Sequence, residues 1–147
     1  MTARDTAFRP GASLAVVRAR AALLAECRRF FAARGVLEVE TPVLSQAAVT
    51  DVHLASLETR IAGQCGRYYL QTSPEYAMKR LLAAGFPDLY QICKVFRDGE
   101  SGRLHNPEFT MLEWYRLGFD QHSLMDEVEA LLTALLARRL AEPAERL

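Results

Sequence analysis

The sequence lacks an excess of charge of either sign. Lys plus Arg and Asp plus Glu number 18 each in 147 residues, so the formal net charge is zero. That removes any electrostatic argument for non-specific binding to nucleic acid or to an anionic membrane surface. Cysteine is scarce too. Cys27, Cys65 and Cys93 are odd in number, scattered, and form no C-x-x-C pair. They suggest neither a disulfide framework nor a zinc site, and a reducing cytoplasm is the default location. No apolar run approaches membrane-spanning length, and Met1 to Pro10 has no apolar core of the kind a secretory leader carries. Internal repeats and low-complexity tracts are absent as well. What remains is an ordinary globular balance, half hydrophobic and 24% charged, and enough chain for one domain with its own core.

The most informative stretch is Val95 to Arg116, VFRDGESGRLHNPEFTMLEWYR. It reads as two strands joined by a polar loop. Leu89 to Arg97, LYQICKVFR, is apolar and β-branched enough for a buried strand. The loop, Asp98 to Asn106, contains Gly99, Glu100, Gly102, Arg103 and His105. The outgoing strand is expected to start near Pro107, which has no N–H to give to a ladder. Period-two alternation then puts Phe109, Met111, Glu113 and Tyr115 on one face. A carboxylate between Met111 and Tyr115 is costly to bury unless a cation pairs with it. Arg97, Arg103 and His105 can donate to phosphate oxygens. Glu113, and Glu75 upstream, can receive ammonium groups. Two readings stand on the residues alone: a site joining a polyanion to a cation, or a solvated hairpin loop whose charges pair with each other, which is the commoner outcome for a charged loop.

The rest of the chain supplies punctuation. Met1 to Ala12 reads as a flexible arm. Ser13 can cap a helix running to about Arg34, with Leu14, Val17, Ala21, Leu24 and Phe31 at helical spacing and Gly35 as its stop. Val36 to Val39 reads as a short strand that Thr41-Pro42 ends. Ser45 to Glu58 is a connector, with Asp51 and His53 as loop hydrogen-bonding residues. Gly63 to Gly66 reads as a turn and Arg67 to Leu70 as a strand. Gln71 to Gly85 is helical, with Ser73 as N-cap, Pro74 at N1 and Gly85 at the C-terminal end. Glu75 in its first turn either offsets the helix dipole or faces a ligand ammonium. A last helix starts at His122, where Ser123 to Asp126 resembles a capping box. Leu124, Val128, Leu131, Leu132 and Leu135 form its apolar face, and Pro143 breaks it.

The run FRDGESGRLHNPEFTMLEWYR resembles motif 2 of class II aminoacyl-tRNA synthetases in its lysine-specific form. FFAARGVLEVETPVL resembles motif 1, a long helix and a strand ending in Pro. Within that superfamily the chain is most similar to the lysyl-tRNA synthetase paralogues that modify elongation factor P, from about Leu14 to Leu135. The resemblance implies an α+β fold, part of the class II antiparallel sheet flanked by helices, with 13–147 as the N-terminal part of the catalytic domain. It also implies a homodimer through the motif 1 helix and strand, a cytoplasmic location and no membrane.

For the chemistry, the resemblance implies ATP-dependent activation of a lysine-type amino acid as its adenylate, then transfer to a lysine side chain of elongation factor P. β-Lysine is the form it favours, and the sequence leaves α- and β-lysine open. Arg97 matches the catalytic clamp on the α-phosphate and substrate carboxylate. Asp98, Gly99 and Glu100 match the ATP-binding loop, Arg103 and His105 approach the outer phosphates, Asn106 contacts ATP, and Phe109 stacks on adenine. Ser73, Glu75 and Tyr115 match the substrate site, and Glu113 the carboxylate facing the side-chain ammonium. One departure is local: the superfamily pattern Phe-Arg-x-Glu has Gly99 at its last position, with Glu100 next. The other is larger. No G-x-G-x-G-x-D-R motif 3 follows, and the acidic residues that hold Mg²⁺ in the superfamily are expected downstream, so no metal ligand is assigned. This chain alone is therefore expected not to activate amino acids. Only Met1 to Arg34 precede the motif 1 strand, with no anticodon-binding barrel, which favours the elongation factor P reading. A lysyl-tRNA synthetase catalytic fragment acting on tRNA, and a non-catalytic dimerising fragment, are the alternatives.

Overall fold

The computed structural model describes residues 10–141, with side chains to residue 138. The arm over residues 1–9 and the break at Pro143 lie outside the described residues. The chain divides into two compact units, one made of Met1–Arg34 with Phe119–Leu147, the other of Gly35–Gly118.

The first unit pairs two helices, α1 (Leu14–Ala32) and α3 (Gln121–Ala141). Ser13 caps α1 as its sequence suggests: its Oγ accepts the Val16 N–H at 3.3 Å. Gly35 turns the chain away with φ +69°, a conformation that costs glycine little. Cys27, Phe30 and Phe31 of α1 and Leu131 of α3 are buried. The Phe30 and Phe31 rings meet edge-on at 5.3 Å. Arg34 lies over the Phe30 ring at 3.4 Å and pairs with the buried Glu127 at 3.8 Å.

Three expectations for this unit need correction. Leu14 and Val17 share the predicted face of α1 but are exposed, Leu14 by 63%. Leu124, Val128 and Leu132 of α3 are exposed as well. Periodicity says which residues share a face; it does not say that something covers that face. The cap of α3 is also one turn earlier than Ser123. Asp120 Oδ1 accepts the Ser123 N–H at 2.8 Å, which places Ser123 inside the first turn. A carboxylate is the stronger acceptor, and those donors hold the Asp120 carboxyl below its ordinary range.

The second unit is built on the expected hairpin. β5 (Leu89–Phe96) and β6 (Glu108–Tyr115) pair antiparallel, from Leu89 opposite Tyr115 to Phe96 opposite Glu108. The strand β1 (Leu37–Glu38) adds to the other edge of β5 in parallel, giving the order β1-β5-β6. This sheet is thus mixed rather than purely antiparallel. A second, antiparallel sheet has the order β2-β4-β3, from Leu44–Ser45, Tyr68–Leu70 and Glu58–Thr59. The connector from Ser45 to Glu58 is therefore bounded at its ends by two short strands, β2 and β3. Asp51 does act in its loop, accepting the His53 N–H at 2.8 Å.

Helix α2 (Glu75–Ala83) starts one residue later than the sequence suggests. Pro74 stands at the N-cap, not N1, and Ser73 precedes it, with its Oγ 3.4 Å from the Glu75 nitrogen. The C-terminal end closes as glycine there predicts. Gly85 has φ +89°, its N–H reaches the Leu82 carbonyl at 2.9 Å, and the Phe86 N–H reaches Leu81 at 3.2 Å. That pair of bonds is the Schellman arrangement. Met78, Leu89 and Val95 are wholly buried, and each contributes about 1.5–3 kcal/mol by leaving water. The two sheets are stitched by the main chain: the Phe96 N–H bonds Gln71 at 2.9 Å and the Asp98 N–H bonds Ala55 at 2.8 Å.

Candidate functional site

The pleat of the hairpin brings Gln91, Cys93, Val95 and Arg97 to the same face as Glu113, Met111 and Phe109, since Gln91 is opposite Glu113 and Val95 opposite Phe109. At one end of that face stands Arg97. Its Nε donates to the Thr72 carbonyl at 3.3 Å, its Nη1 lies 3.9 Å from the Glu100 carboxylate, and its guanidinium sits 5.2 Å from the centre of the Phe109 ring. The fork is thus held by a carbonyl and a ring, with one weakly engaged carboxylate beside it. An anion can replace Glu100 as its partner without the arginine moving far.

Gly99 explains the altered motif. Its φ is +74°, which side chains resist. Asp98 accepts the Gly99 N–H at 2.9 Å on Oδ1, and the turn delivers Glu100 toward Arg97. Asp98 therefore serves the loop. Beyond it Gly102 and His105 exchange main-chain bonds at 3.0 and 3.3 Å, leaving Arg103 at the tip of a two-residue turn. Arg103, His105 and Asn106 are exposed, and among the described residues no side-chain bond holds them. Among the described residues none of these three has a side-chain bond to Arg97 or a ring contact with Phe109.

At the other end of the face the carboxylates gather. Tyr115 donates its hydroxyl to Glu113 Oε1 at 2.7 Å. Burial pushes the Glu113 carboxyl up, and the nearby Glu75 charge pushes it further; Tyr115 and Lys79 pull it back. Burial also raises Tyr115, and its bond to Glu113 raises it further, so the phenol remains a donor. Glu75 is paired with Lys79 one turn along α2. That hydrogen bond, and then the Glu75 charge, raise the Lys79 ammonium. Two carboxylates share one internal cation, leaving a net negative charge in a half-buried place. Such a place favours a cationic ligand.

Ser73 and Glu75 also border a cavity of about 510 Å³ between the second sheet, the loop over residues 47–56 and α2. Thr50 and Tyr76 meet across this wall at 2.6 Å, hydroxyl to hydroxyl. Arg97, Phe109, Glu113 and Tyr115 lie outside its lining. Sequence reasoning missed Lys79, although its i, i+4 spacing from Glu75 was a usable signal. It also missed Gln91, a polar residue in the middle of an apolar strand, whose Oε1 accepts from the buried Thr41 hydroxyl at 2.9 Å. Burial raises the Cys93 thiol, so nothing marks it as a nucleophile. Among the described residues no group of three or more His, Cys, Asp or Glu could hold a metal ion. No described helix is long and apolar enough to cross a membrane.

An arginine beside an aromatic ring thus stands at one end of an antiparallel hairpin, and a pair of carboxylates that favours a cation at the other. The sequence family of class II tRNA synthetases for D, K and N matches residues 2–145, and the chain belongs to that family. The chain is 57% identical over 148 residues to an elongation factor P–(R)-β-lysine ligase of Erwinia tasmaniensis, covering 97% of this chain and 45% of that protein. It is 56% identical over 144 residues to the protein of the same name from Salmonella paratyphi B, with 95% and 43% covered. A Vibrio vulnificus protein of that name is 55% identical over 139 residues, with 92% and 43% covered. The chain spans less than half the length of the curated relatives it matches.

Proposed function

We propose that this chain is the amino-acid- and ATP-binding half of a ligase that activates a lysine-type amino acid as its adenylate and passes it to a lysine side chain of elongation factor P. The observation that carries this reading is the pair Glu75 and Glu113, two carboxylates sharing one internal cation. They suit a substrate with an amine at each end. The names of the relatives support (R)-β-lysine as that substrate and elongation factor P as the acceptor.

In this reading Arg97 neutralises the α-phosphate and substrate carboxylate, holding the attack in line. Phe109 supports adenine, with Asp98, Gly99, Glu100, Arg103, His105 and Asn106 closing over ATP from the loop. Arg103, His105 and Asn106 swing in from exposed positions to do so. Ser73, Glu75, Glu113 and Tyr115 hold the amino acid. A substrate without the distal amine leaves Glu113 unpaired, which is the basis of discrimination. No side chain need become a covalent carrier. Mg²⁺ would screen the phosphates of bound ATP. The segment by itself is expected to bind without turning over.

The reading extends to a cytoplasmic homodimer in which motif 1 supplies the interface. The exposed Leu14, Val16 and Val17 of α1 support an apolar contact there. A lysyl-tRNA synthetase fragment, with tRNA as acceptor, is disfavoured by the names of the relatives. The test is calorimetric titration of ATP, and of a non-cleavable lysyl-adenylate analogue, into the chain. Tight analogue binding that Arg97→Ala weakens at least tenfold supports the half-site. No binding by a folded chain would overturn it.

A further inference from the structure

Gln91 stands out among the side chains for which the chemistry above has no use. It is 2% exposed, in the middle of β5. Its Oε1 is engaged by the Thr41 hydroxyl at 2.9 Å, which fixes the orientation of the amide. Its Nε2 is buried and has no hydrogen-bond partner among the described residues. An unmet buried donor of this kind costs about 1–3 kcal/mol, so its retention calls for a partner. Directly across the hairpin, in register, is Glu113. Opposed residues on one face have their Cβ atoms about 4.5–5.5 Å apart, within reach of two such long side chains. Glu113 Oε1 takes the Tyr115 hydroxyl, and its other oxygen has no donor among the described residues.

We infer that Gln91 is a positioning residue for Glu113: clamped by Thr41, it offers its unmet Nε2–H to the second oxygen of the ionised carboxylate and keeps that carboxylate aimed at a ligand ammonium. A rotation of the Glu113 side chain brings the open acceptor to the unmet donor. The other groups facing Glu113 are Glu75 and Lys79 from α2, Tyr115 from its own strand and Cys93 from β5. Of these, Cys93 Sγ lies within reach of both Gln71 Nε2, at 3.4 Å, and the Gln91 amide, but a thiol is a weak acceptor and does not meet a buried amide donor. Glu75 is already paired with Lys79. Glu113 is the strong acceptor with an open oxygen.

The inference deepens the role proposed for Glu113, and its test is independent of any ligand. In a carbon-13-labelled chain the Glu113 carboxyl is titrated by NMR, with Asp120 in the other unit reporting that the chain is folded. Gln91→Met removes the donor while keeping length. It should raise the Glu113 midpoint by about one unit, a tenfold change in proton affinity. Gln91→Glu should raise it further, because a second carboxylate then stands opposite, and this variant decides the matter should Gln91→Met fail to fold. A Glu113 midpoint unmoved in the folded variants would overturn the inference; a role in packing alone predicts that result. Lysine binding to the unaltered chain is scored separately. Its absence would count against the proposed substrate, while the carboxyl titration still decides the role of Gln91.

Discussion

Replacing Glu113 with Gln should make the ligand-free chain more stable and a worse binder, a combination that a structural residue would not give. The side chain keeps its shape, and the Gln carbonyl, with two lone pairs, can still accept both the Tyr115 hydroxyl, which Glu113 accepts at 2.7 Å, and the Gln91 Nε2–H. What is lost is a half-buried charge that desolvation and Glu75 both oppose. Discounted for solvent screening, the relief is about 0.5 kcal/mol, or about 2 °C in melting temperature for a domain of this size. The bound state moves the other way. A charge-assisted bond to an ammonium is worth about 1.5–3 kcal/mol, so lysine and its adenylate analogue should bind about 10–100-fold more weakly. ATP affinity should not change. The pH profile gives a third readout. The Glu113 midpoint is raised above its ordinary value of 4.5, so this group favours the fold below that value and ceases to as pH rises through the folded midpoint. Ammonium binding needs the ionised form and should strengthen over that same rise; the Gln variant should show no such limb. Scanning calorimetry and isothermal titration across pH measure all three. A variant that is less stable and binds lysine as tightly as the parent would refute the assignment of Glu113 to a ligand.

Two further outcomes test the frame around the site. Gly99→Ala meets no neighbouring atom, so its effect isolates backbone strain at φ +74°; a loss of about 1–2 kcal/mol in denaturant unfolding is expected, and restoring the superfamily residue with Gly99→Glu should cost the same rather than improve the loop. Asp120→Ala removes the cap of α3 and should lower the melting temperature at neutral pH. Because the Asp120 carboxyl is held below its ordinary value, its contribution is present above that value and lost as pH falls through the folded midpoint, so the variant and the parent should converge in acid.

Local chemistry made much of this fold legible. Ser13, Gly35 and Gly85 mark helix ends because capping and left-handed turns depend on one residue and its near neighbours. The hairpin was legible because eight-residue strands leave a clear period of two, which placed Phe109, Met111, Glu113 and Tyr115 correctly on one face. The second sheet was not, since strands of two residues such as Leu44–Ser45 and Glu58–Thr59 carry no period and exist only through pairing with Tyr68–Leu70. The parallel contact of Leu37 with Leu89 is equally non-local. Asp120 was overlooked as a cap because Ser123 offered the more familiar pattern. At the site, residue type and alternation gave Arg97 with Phe109 and Glu113 with Tyr115, but not that Arg103, His105 and Asn106 are exposed.

A neutral chain can still separate charge sharply, and here the hairpin does so. Its loop end carries Arg97, Arg103 and His105; its other end faces Glu113 and Glu75. From Phe109 to Glu113 is four residues of one strand, about 13 Å at 3.3 Å per residue. Free lysine is too short to bridge an arginine–aromatic pair and a carboxylate that far apart. A lysyl adenylate, with an aromatic base, a phosphate and a distal amine in line, has the length and the charge order to do so. In the proposed reading the face is therefore complementary to the product of activation more than to either reactant. Binding energy realised only when both halves are joined is the kind that lowers the barrier to joining them. The adenylate analogue should accordingly bind more tightly than the separate affinities of lysine and ATP for this chain would suggest, and Glu113→Gln and Arg97→Ala should each remove part of that gain.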